Sequence, residues 1–377
     1  MYKLQGRIDS SNANTIEQAV MEARPTEIDA SELEYISSAG LRVLLKLTKE
    51  VGEVTVVNVS SEVYDIFEMT GFTNILNVRK AIREVSVDGC ELIGQGGNGS
   101  VYRLDEDTIV KVYTPKIPYE QVEKEREFAK TAFINGIPSV IAYDTVKCGD
   151  SYGLVFEMIK SDTLGHTMRD NPEKLQEYVA KHVQLAKTLH STHISDGSFT
   201  NIKEVLHQRV PVLKEWCSAE ELQLLDSLID CMPDKDTIIH NDLHPGNIMI
   251  QNGELLLIDM PEVTTGPTMY DLVGIFRDMI SAPRSTPEVI EKSVGMPADM
   301  IVRAGQMFFS MYTGITDPAE LEGLFKKLGL VYALNVCLTV AHDPDKAARY
   351  APAVMEKLLR GVIIPNEQAL RAILASM

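Results

Sequence analysis

The first 85 residues alternate two kinds of hydrophobic pattern. Short apolar or alternating runs predict β-strands at 2–8, 27–30 and 54–59. Segments in which apolar residues recur every three or four positions predict amphipathic helices at 15–23, 38–51 and 62–69. Because strands and helices alternate, this part of the chain is expected to form a small α/β domain whose helices pack on a sheet.

The second part of the chain begins with strand patterns and continues with helical ones. Runs at 107–113 and 152–156 predict strands, a helical pattern occupies 120–133, and helical patterns dominate the C-terminal part. No Pro- or Gly-rich linker separates the two parts, so the boundary near 85–89 is short. We therefore predict two domains, which comprise residues 1–85 and 86–377.

Composition narrows the class of protein. The chain has 377 residues, 45% hydrophobic and 24% charged, which is typical of globular domains. Its formal net charge of -18 opposes nucleic-acid binding, because phosphate contacts require Lys and Arg that the surface can spare. The five cysteines form no C-x-x-C pair, and neither a secretory signal nor an apolar run long enough to cross a bilayer is present. These features predict a cytoplasmic protein that binds neither nucleic acid nor membrane.

A glycine-rich hairpin is predicted near residue 95. Gly94, Gly96 and Gly99 form a G-x-G-x-x-G-x-V arrangement between two strand-like runs. Such a hairpin lets backbone amides approach the phosphates of ATP without an intervening Cβ atom, although Gly and Asn also form ordinary hairpin turns. A Rossmann loop is disfavoured because a strand, and no helix, follows Gly99.

Lys111 lies in the middle of the apolar strand that follows this hairpin. A buried lysine requires an anionic partner, because an unpaired buried charge is costly. In kinase-like folds that partner is an ATP phosphate oxygen, with a helix glutamate holding the amine. The helical segment 120–133 offers both Glu125 and Glu127 for this purpose, and the residue pattern alone leaves the choice open.

The segment 238–260 carries a constellation suited to phosphoryl transfer. His240, Asp242 and Asn247 match H-x-D-x-x-x-x-N, and Asp259 ends the apolar strand that follows. A hydroxyl that attacks the γ-phosphate needs a carboxylate to orient it and accept its proton, which is the role expected of Asp242. Mg²⁺ prefers oxygen ligands, so Asn247 and Asp259 are the predicted metal ligands. His240 is expected to hold the loop by hydrogen bonding.

This segment reads H-N-D-L-H-P-G-N-I and resembles the aminoglycoside phosphotransferase and choline kinase group. The resemblance covers about residues 90–280; a protein kinase would usually have Lys at His244 and Phe-Gly after Asp259. It implies a bilobal protein-kinase-like fold, with the smaller lobe at about 86–158 and a largely helical larger lobe at about 159–377. It also implies ATP and Mg²⁺ as cofactors, favours Glu125 over Glu127, and assigns adenine binding to the backbone of Glu157 and Ile159.

The N-terminal part, with IDASELEYISSAGLRVLL at its centre, resembles the STAS domain of bacterial anti-sigma factor antagonists. In that family an aspartate ends a strand, as Asp29 would here, and a D-S-S-G-L motif opens the next helix, with its second serine as the phosphorylation switch. The switch position falls on Ala39 in this chain. Ser37 and Ser38 remain candidate phosphorylation sites, because a helix N-terminus favours an anion, but a serine there is also an ordinary N-cap.

Three functions are compatible with these patterns. The first is an ATP-dependent phosphotransferase that acts on a hydroxyl of an unidentified small molecule, with the STAS-like domain as a regulator that could bind an anti-sigma factor or another regulatory protein. The second is a signalling Ser/Thr kinase acting on its own or a partner's STAS domain. The third is an ATP-binding regulatory module in anti-sigma factor signalling; the intact set of Lys111, Asp242, Asn247 and Asp259 argues against it.

Overall fold

The computed structural model describes residues 1–97, 99–340 and 344–377 of the chain. Internal contacts divide it into two units. The first comprises Met1–Asp88 with Thr145–Gly153, and the second comprises Gly89–Asp144 with Leu154–Met377.

The first unit contains a four-stranded parallel sheet with three helices. Its strands pair in the order β1-β2-β3-β4. The elements in chain order are β1 Tyr2–Ile8, α1 Ala13–Ala23, β2 Glu27–Ile36, α2 Ser38–Val51, β3 Thr55–Val59, α3 Ser61–Met69 and β4 Asn77–Lys80. A short strand, β5 Arg83–Glu84, pairs in parallel with Val146 and Lys147. The predicted α/β architecture is confirmed.

Helix α2 packs tightly on this sheet. Leu41, Leu44 and Leu47 lie on its buried face. Gly40 is required at its start, because a Cβ atom there would lie 2.7 Å from side-chain atoms of both Ile8 and Ile36. The helix bounds equal those predicted, because the apolar spacing and the capping serine are local signals.

Strand β2 is longer than predicted. We expected it to end near Asp29, but it continues to Ile36, and Asp29 therefore lies inside the strand. Leu33 and Ile36 are buried beyond the expected end, and two register shifts in the pairing with β1 accompany their three-residue spacing. Asp29 instead accepts hydrogen bonds from Asn58 Nδ2 at 3.0 Å and from the backbone N–H of Ser31 at 3.0 Å.

The second unit begins with a mainly antiparallel sheet and one helix. Strands β6, β7 and β8 pair antiparallel, and the strand order continues through β10 to β9. The bounds are β6 Glu91–Gln95, β7 Gly99–Arg103, β8 Thr108–Tyr113, α4 Tyr119–Ile134, β9 Ala142–Cys148 and β10 Ser151–Glu157. The residues of β9 and β10 that fall within Thr145–Gly153 belong to the first unit.

The remainder of the second unit is helical apart from two small β-ladders. The ladders pair β11 with β14 and β12 with β13. The elements are α5 Leu164–Asp170, α6 Leu175–His190, α7 Ile202–Arg209, α8 Ala219–Asp230, β11 Ile238–Ile239, β12 Ile248–Gln251, β13 Glu254–Leu257, β14 Thr264–Thr265, α9 Thr268–Phe276, α10 Ala282–Ser285, α11 Pro287–Val294, α12 Ala298–Thr313, α13 Pro318–Thr339, α14 Pro344–Val354 and α15 Glu367–Ala375. A sheet-containing part followed by a helical part is the predicted kinase-like fold, which is confirmed.

The core of the helical part joins aromatic side chains of distant elements. The ring centroids of His182 in α6 and Phe308 in α12 lie 4.7 Å apart, and those of Phe309 in α12 and Phe325 in α13 lie 5.2 Å apart. Within the described ranges, no helix is both long enough and apolar enough to span a bilayer.

Candidate active site

A loop between β11 and β12 carries the H-x-D-x-x-x-x-N residues. The turn Asn252-Gly253 joins β12 to β13, and both of its residues have positive φ, at 54° and 85°, which suits the twist of a two-residue hairpin. The hairpin brings the chain back to the loop, where the backbone N–H of Ile258 donates to the carbonyl of Asn247 at 3.0 Å. This geometry delivers Asp259 next to Asn247, as the order of residues predicted.

The start of the loop is held by Asp271 in helix α9. Its carboxylate is fully buried and accepts hydrogen bonds from the backbone N–H groups of His240 at 2.9 Å and Asn241 at 2.6 Å. His190 Nε2 lies 3.0 Å from the same carboxylate, and Tyr312 bonds the other ring nitrogen at 2.7 Å. Burial acts to raise the pKa of Asp271, but the bonds from His190 and the backbone outweigh it, so the pKa is lowered.

His240 holds the loop differently from our expectation. Its side chain is fully buried, but neither ring nitrogen has a hydrogen-bond partner among the described residues. Only its backbone N–H is bonded, to Asp271. The expectation that the His240 imidazole holds the loop by hydrogen bonding is therefore wrong. Its ring contributes packing, and the backbone bonds to Asp271 fix the loop.

Asp242 is held between two donors. Asn247 Nδ2 donates to Asp242 Oδ2 at 2.8 Å, and Arg277 Nη2 donates to Asp242 Oδ1 at 2.5 Å. Arg277 also binds Asp278 at 2.6 Å. Burial acts to raise the pKa of Asp242, but His244, Arg277 and His240 lower it overall. The carboxylate is thus kept ionised and able to accept a proton or a hydrogen bond from a hydroxyl.

Arg277 was not predicted from the sequence. It begins a π-helical turn, Arg277–Ser281, that directly follows α9. Such turns bulge the backbone and are frequent at functional sites. No motif near Arg277 points to Asp242, which lies 35 residues earlier. Only the fold brings the two together.

The side chains of Asn247 and Asp259 present oxygen atoms suited to a divalent cation. Both hydrogen bonds of Asn247 Nδ2 go to Asp242, so its Oδ1 is left without a partner among the described residues. Asp259 uses Oδ1 to bind Lys111 and has a partly exposed carboxylate. An amide oxygen and a carboxylate are ligands that Mg²⁺ accepts, so the residues present fit this ion.

Lys111 in β8 bridges two carboxylates. Its Nζ lies 2.9 Å from Glu125 Oε1 and 2.6 Å from Asp259 Oδ1. Glu125 is 4% exposed, whereas Glu127 is exposed and binds Arg126 at 2.7 Å instead. Burial acts to lower the pKa of Lys111, but the two carboxylates raise it overall, so the amine stays charged. Glu125 is therefore the glutamate that pairs with Lys111.

The three glycines of the hairpin differ in what they contact. A Cβ atom on Gly99 would lie 2.2 Å from the carbonyl oxygen of Val112, so this glycine is required by the close approach of β7 to β8. A Cβ on Gly96 would have no neighbour within 4 Å, and one on Gly94 would make only ordinary contacts with Val101. Gly94 and Gly96 thus leave an open face for a ligand, whereas Gly99 is explained by strand packing.

The segment predicted to bind adenine directly follows β10. β10 ends at Glu157, and the backbone N–H of Met158 donates to the carbonyl of Asp107 at 2.7 Å. Ile159 is buried, and binding of adenine by the backbone of Glu157 and Ile159 stays a prediction.

A cavity of about 590 Å³ lies beside Asp242 and Asp259. Arg209 from α7, Tyr270 from α9 and Asn335 from α13 also line it. A volume of this size accommodates a small organic molecule. The sequence alone did not indicate this cavity, because its walls come from helices without a recognisable motif.

In the first unit, Ser37 is the N-cap of α2, and its hydroxyl accepts a hydrogen bond from the N–H of Ala39 at 3.2 Å. Ser38 is exposed in the first turn of the helix. Both serines lie in the first unit, and the residues of the kinase-like constellation lie in the second.

The second unit thus has a kinase-like fold in which the predicted polar residues converge. Residues 89–301 match the phosphotransferase enzyme family known as APH, and this match spans more than half of the chain. The chain therefore belongs to this family. Residues 1–85 match the STAS domain.

Individual relatives cover each part of the chain. BtrV of Bordetella bronchiseptica, which carries the name of an anti-sigma factor antagonist, is 37% identical over 84 residues, covering 20% of this chain and 72% of BtrV. A structure of a gentamicin complex of APH(2")-IIa is 15% identical, covers 80% of this chain and 97% of its own, and has a TM-score of 0.47. A choline/ethanolamine kinase family protein from Mesorhizobium loti is 16% identical, with 76% and 92% covered and a TM-score of 0.45.

Proposed function

We propose that this protein is an ATP-dependent phosphotransferase that transfers the γ-phosphate to a hydroxyl of a small molecule. The observation that carries the proposal is the convergence of Lys111, Glu125 and Asp259, which come from β8, α4 and the end of the β12–β13 hairpin. A charged amine held by two carboxylates at one site is the arrangement that positions a metal-bound triphosphate. Family membership supports the phosphotransferase class, and the acceptor is part of the proposal.

Each residue has a distinct role in this proposal. Lys111 binds phosphate oxygens of ATP, and Glu125 keeps its amine in place. Backbone groups of Glu157 and Ile159 bind adenine, and Gly94 and Gly96 let the hairpin backbone approach the phosphates. Asp242 orients the acceptor hydroxyl and takes its proton as the oxygen attacks the γ-phosphorus; the bond to the β-phosphate oxygen breaks and ADP leaves.

Asn247 and Asp259 would hold Mg²⁺, which neutralises charge on the phosphates when bound. The bond from Asn247 Nδ2 to Asp242 connects the proposed metal ligand to the proposed base. Asp271 keeps both in register by fixing the backbone at the start of the loop.

The STAS domain is proposed to act as a regulator or docking unit. Its relative BtrV supports binding of an anti-sigma factor or another regulatory protein, and the acidic charge of the chain argues against nucleic acid as the partner. We propose that the protein works in the cytoplasm, because its five cysteines are unpaired.

A signalling kinase is the second candidate, favoured by the exposure of Ser38 beside a helix N-terminus. Incubation of the full chain with labelled ATP and mapping of phosphoserine tests it. Label on Ser37 or Ser38 would favour this candidate, whereas ADP release that depends on an added alcohol, without protein labelling, would exclude autophosphorylation.

The proposed function is tested by measuring ADP release from the full chain with a panel of alcohol metabolites. The Asp242→Asn variant should lose roughly a hundredfold or more in kcat while still binding Mg-ATP, because the carboxylate acts on the hydroxyl and not on ATP. Undiminished turnover in this variant would remove Asp242 from the mechanism. Failure of the wild-type protein to bind Mg-ATP would overturn the proposed phosphotransferase function. It would also exclude an ATP-binding regulatory module.

A further inference from the structure

The cavity beside Asp242 contains an arginine that the proposed reaction does not use. Arg209 is the last residue of α7 and lines the cavity together with Asp242. Its side chain is partly buried. Among the residues that the structure describes, its guanidinium has no hydrogen bond and no ion pair, so its charge is available to a ligand.

The other basic residues of the same helix are all paired. Lys203 lies 3.2 Å from Asp234, and His207 lies 2.9 Å from Asp226. Arg277, the second arginine of the cavity, binds both Asp242 and Asp278. Arg209 is therefore the basic residue of α7 that has no partner among the described residues. It is also the one that lines the cavity.

The carboxylates that line the cavity do not neutralise Arg209. Asp242 is bound to Arg277, and Asp259 is bound to Lys111. Glu262, the third, is exposed, and water weakens the attraction of an exposed carboxylate. A partly buried guanidinium without a partner is costly unless a ligand supplies an anion.

Other side chains around the cavity can donate hydrogen bonds to oxygen atoms of a polar ligand. The hydroxyl of the buried Tyr270 donates to Asn335 Oδ1 at 2.7 Å, which leaves the Asn335 amide N–H groups without a partner in the described part of the chain. The hydroxyl of Tyr332, which also lines the cavity, has no hydrogen-bond partner there either. The pKa of Tyr270 is raised by its burial, which keeps its hydroxyl protonated.

From these contacts we infer that the acceptor is an alcohol that carries a carboxylate or phosphate group, which Arg209 binds while the hydroxyl faces Asp242. Arg favours both groups, because its planar donors match two oxygens of either anion. The cavity volume is adequate for a molecule of hexose size. A polycationic acceptor is disfavoured, since it would place like charges next to Arg209. This inference rests on the proposed function and specifies its substrate class.

The test uses the full chain saturated with Mg²⁺ and a non-hydrolysable ATP analogue, so that probes cannot occupy the nucleotide site. Binding of four probes that share one ring is measured by calorimetry: glucose, glucuronate, glucose 6-phosphate and glucosamine. Glucuronate or glucose 6-phosphate should bind at least about tenfold more tightly than glucose or glucosamine. The comparison of these two anions distinguishes a carboxylate from a phosphate.

Three variants test whether Arg209 is the cause of any preference for an anionic probe. Arg209→Gln should abolish the preference for the anionic probe, and Arg209→Lys should retain part of it. Lys203→Gln removes a positive charge from the same helix, away from the cavity, and should leave the preference unchanged. Binding of the ATP analogue to each variant reports that it is folded.

The outcomes separate the two levels of inference. An anionic preference that Arg209→Gln abolishes supports the assignment. Three results would overturn the assignment: anionic probes that bind Arg209→Gln as tightly as wild type, a preference for glucosamine or glucose, or no binding of either anion up to about 10 mM. Each of these results leaves the proposed phosphotransferase activity intact. Failure of the wild-type chain to bind the ATP analogue would instead be a failure of the proposed function.

Discussion

The amine of Lys111 lies 2.6 Å from Asp259, although 148 residues separate them in the chain. One belongs to the sheet of the second unit and the other to the end of a hairpin among its helices. A pair of this kind arises only if the sheet and the helical part fold against each other. The phosphate-binding and metal-binding halves of the proposed site therefore depend on one tertiary arrangement.

Replacement of Glu125 tests this arrangement directly. Glu125→Gln removes a buried negative charge from beside Lys111, so the amine loses the partner that orients it. We expect the affinity for Mg-ATP to fall by about tenfold or more. Glu127→Gln is the matched control, because Glu127 is on the same helix but is exposed and binds Arg126. Equal effects of the two substitutions on nucleotide titrations would contradict the pairing.

The glycine-rich hairpin offers a matched pair of substitutions. Gly99→Ala should destabilise the second unit by about 1–3 kcal/mol, because its Cβ would meet the Val112 carbonyl oxygen at 2.2 Å and force β7 and β8 apart. Gly96→Ala has open space around it and should leave stability within about 0.5 kcal/mol.

Thermal or urea unfolding of the second unit would measure both effects. Weaker nucleotide binding by Gly96→Ala, without a loss of stability, would support a phosphate-binding role of this hairpin. A stable Gly99→Ala variant would show that the strands can separate without cost.

Asp271 links stability to pH. Its folded-state pKa lies below the ordinary value of 3.8, so it contributes stability that is present above that value and is lost as pH falls through the folded pKa. Asp271→Ala should cost about 3 kcal/mol at neutral pH, because it leaves the backbone N–H groups of His240 and Asn241 and the ring of His190 without their acceptor.

Fluorescence of Trp216 can follow this effect, because it is the single tryptophan of the chain and lies in the second unit. The difference in unfolding free energy between wild type and Asp271→Ala should shrink as pH is lowered below about 4. A difference that is independent of pH would contradict an ionised Asp271.

Ser37 and Ser38 are predicted to respond differently to substitution. Ser37→Ala removes the N-cap of α2 and should cost about 1 kcal/mol of the stability of the first unit. Ser38→Ala should cost less than about 0.5 kcal/mol, because Ser38 is exposed and has no capping role. Circular dichroism of the full chain during urea titration would measure both. A larger effect of Ser38→Ala would show that the cap is assigned to the wrong serine.

The sequence predicted those features that depend on neighbours along the chain. The bounds of α2 follow from its apolar spacing and capping serine, and the hairpin that delivers Asp259 follows from Asn252-Gly253. It also predicted Lys111 and its glutamate as candidates. The choice of Glu125 then required the packing of α4, because both glutamates lie in the same helical pattern.

Contacts between distant helices were not predictable. His190 binds Asp271 across 81 residues, and Arg277 reaches Asp242 from a π-helical turn that no local pattern indicates. The role of His240 was mistaken for the same reason, since a sequence does not show whether a buried ring finds a partner. Such contacts follow from tertiary packing and have no signature in spacing.

Asp259 has a φ of +61°, a backbone conformation that few residues other than Gly, Asn and Asp adopt readily. Glycine would keep the backbone but remove the carboxylate, and a β-branched residue would strain it. Asparagine alone preserves both the shape and the size of the side chain. Asp259→Asn should therefore keep the backbone conformation while it removes the charge that pairs with Lys111.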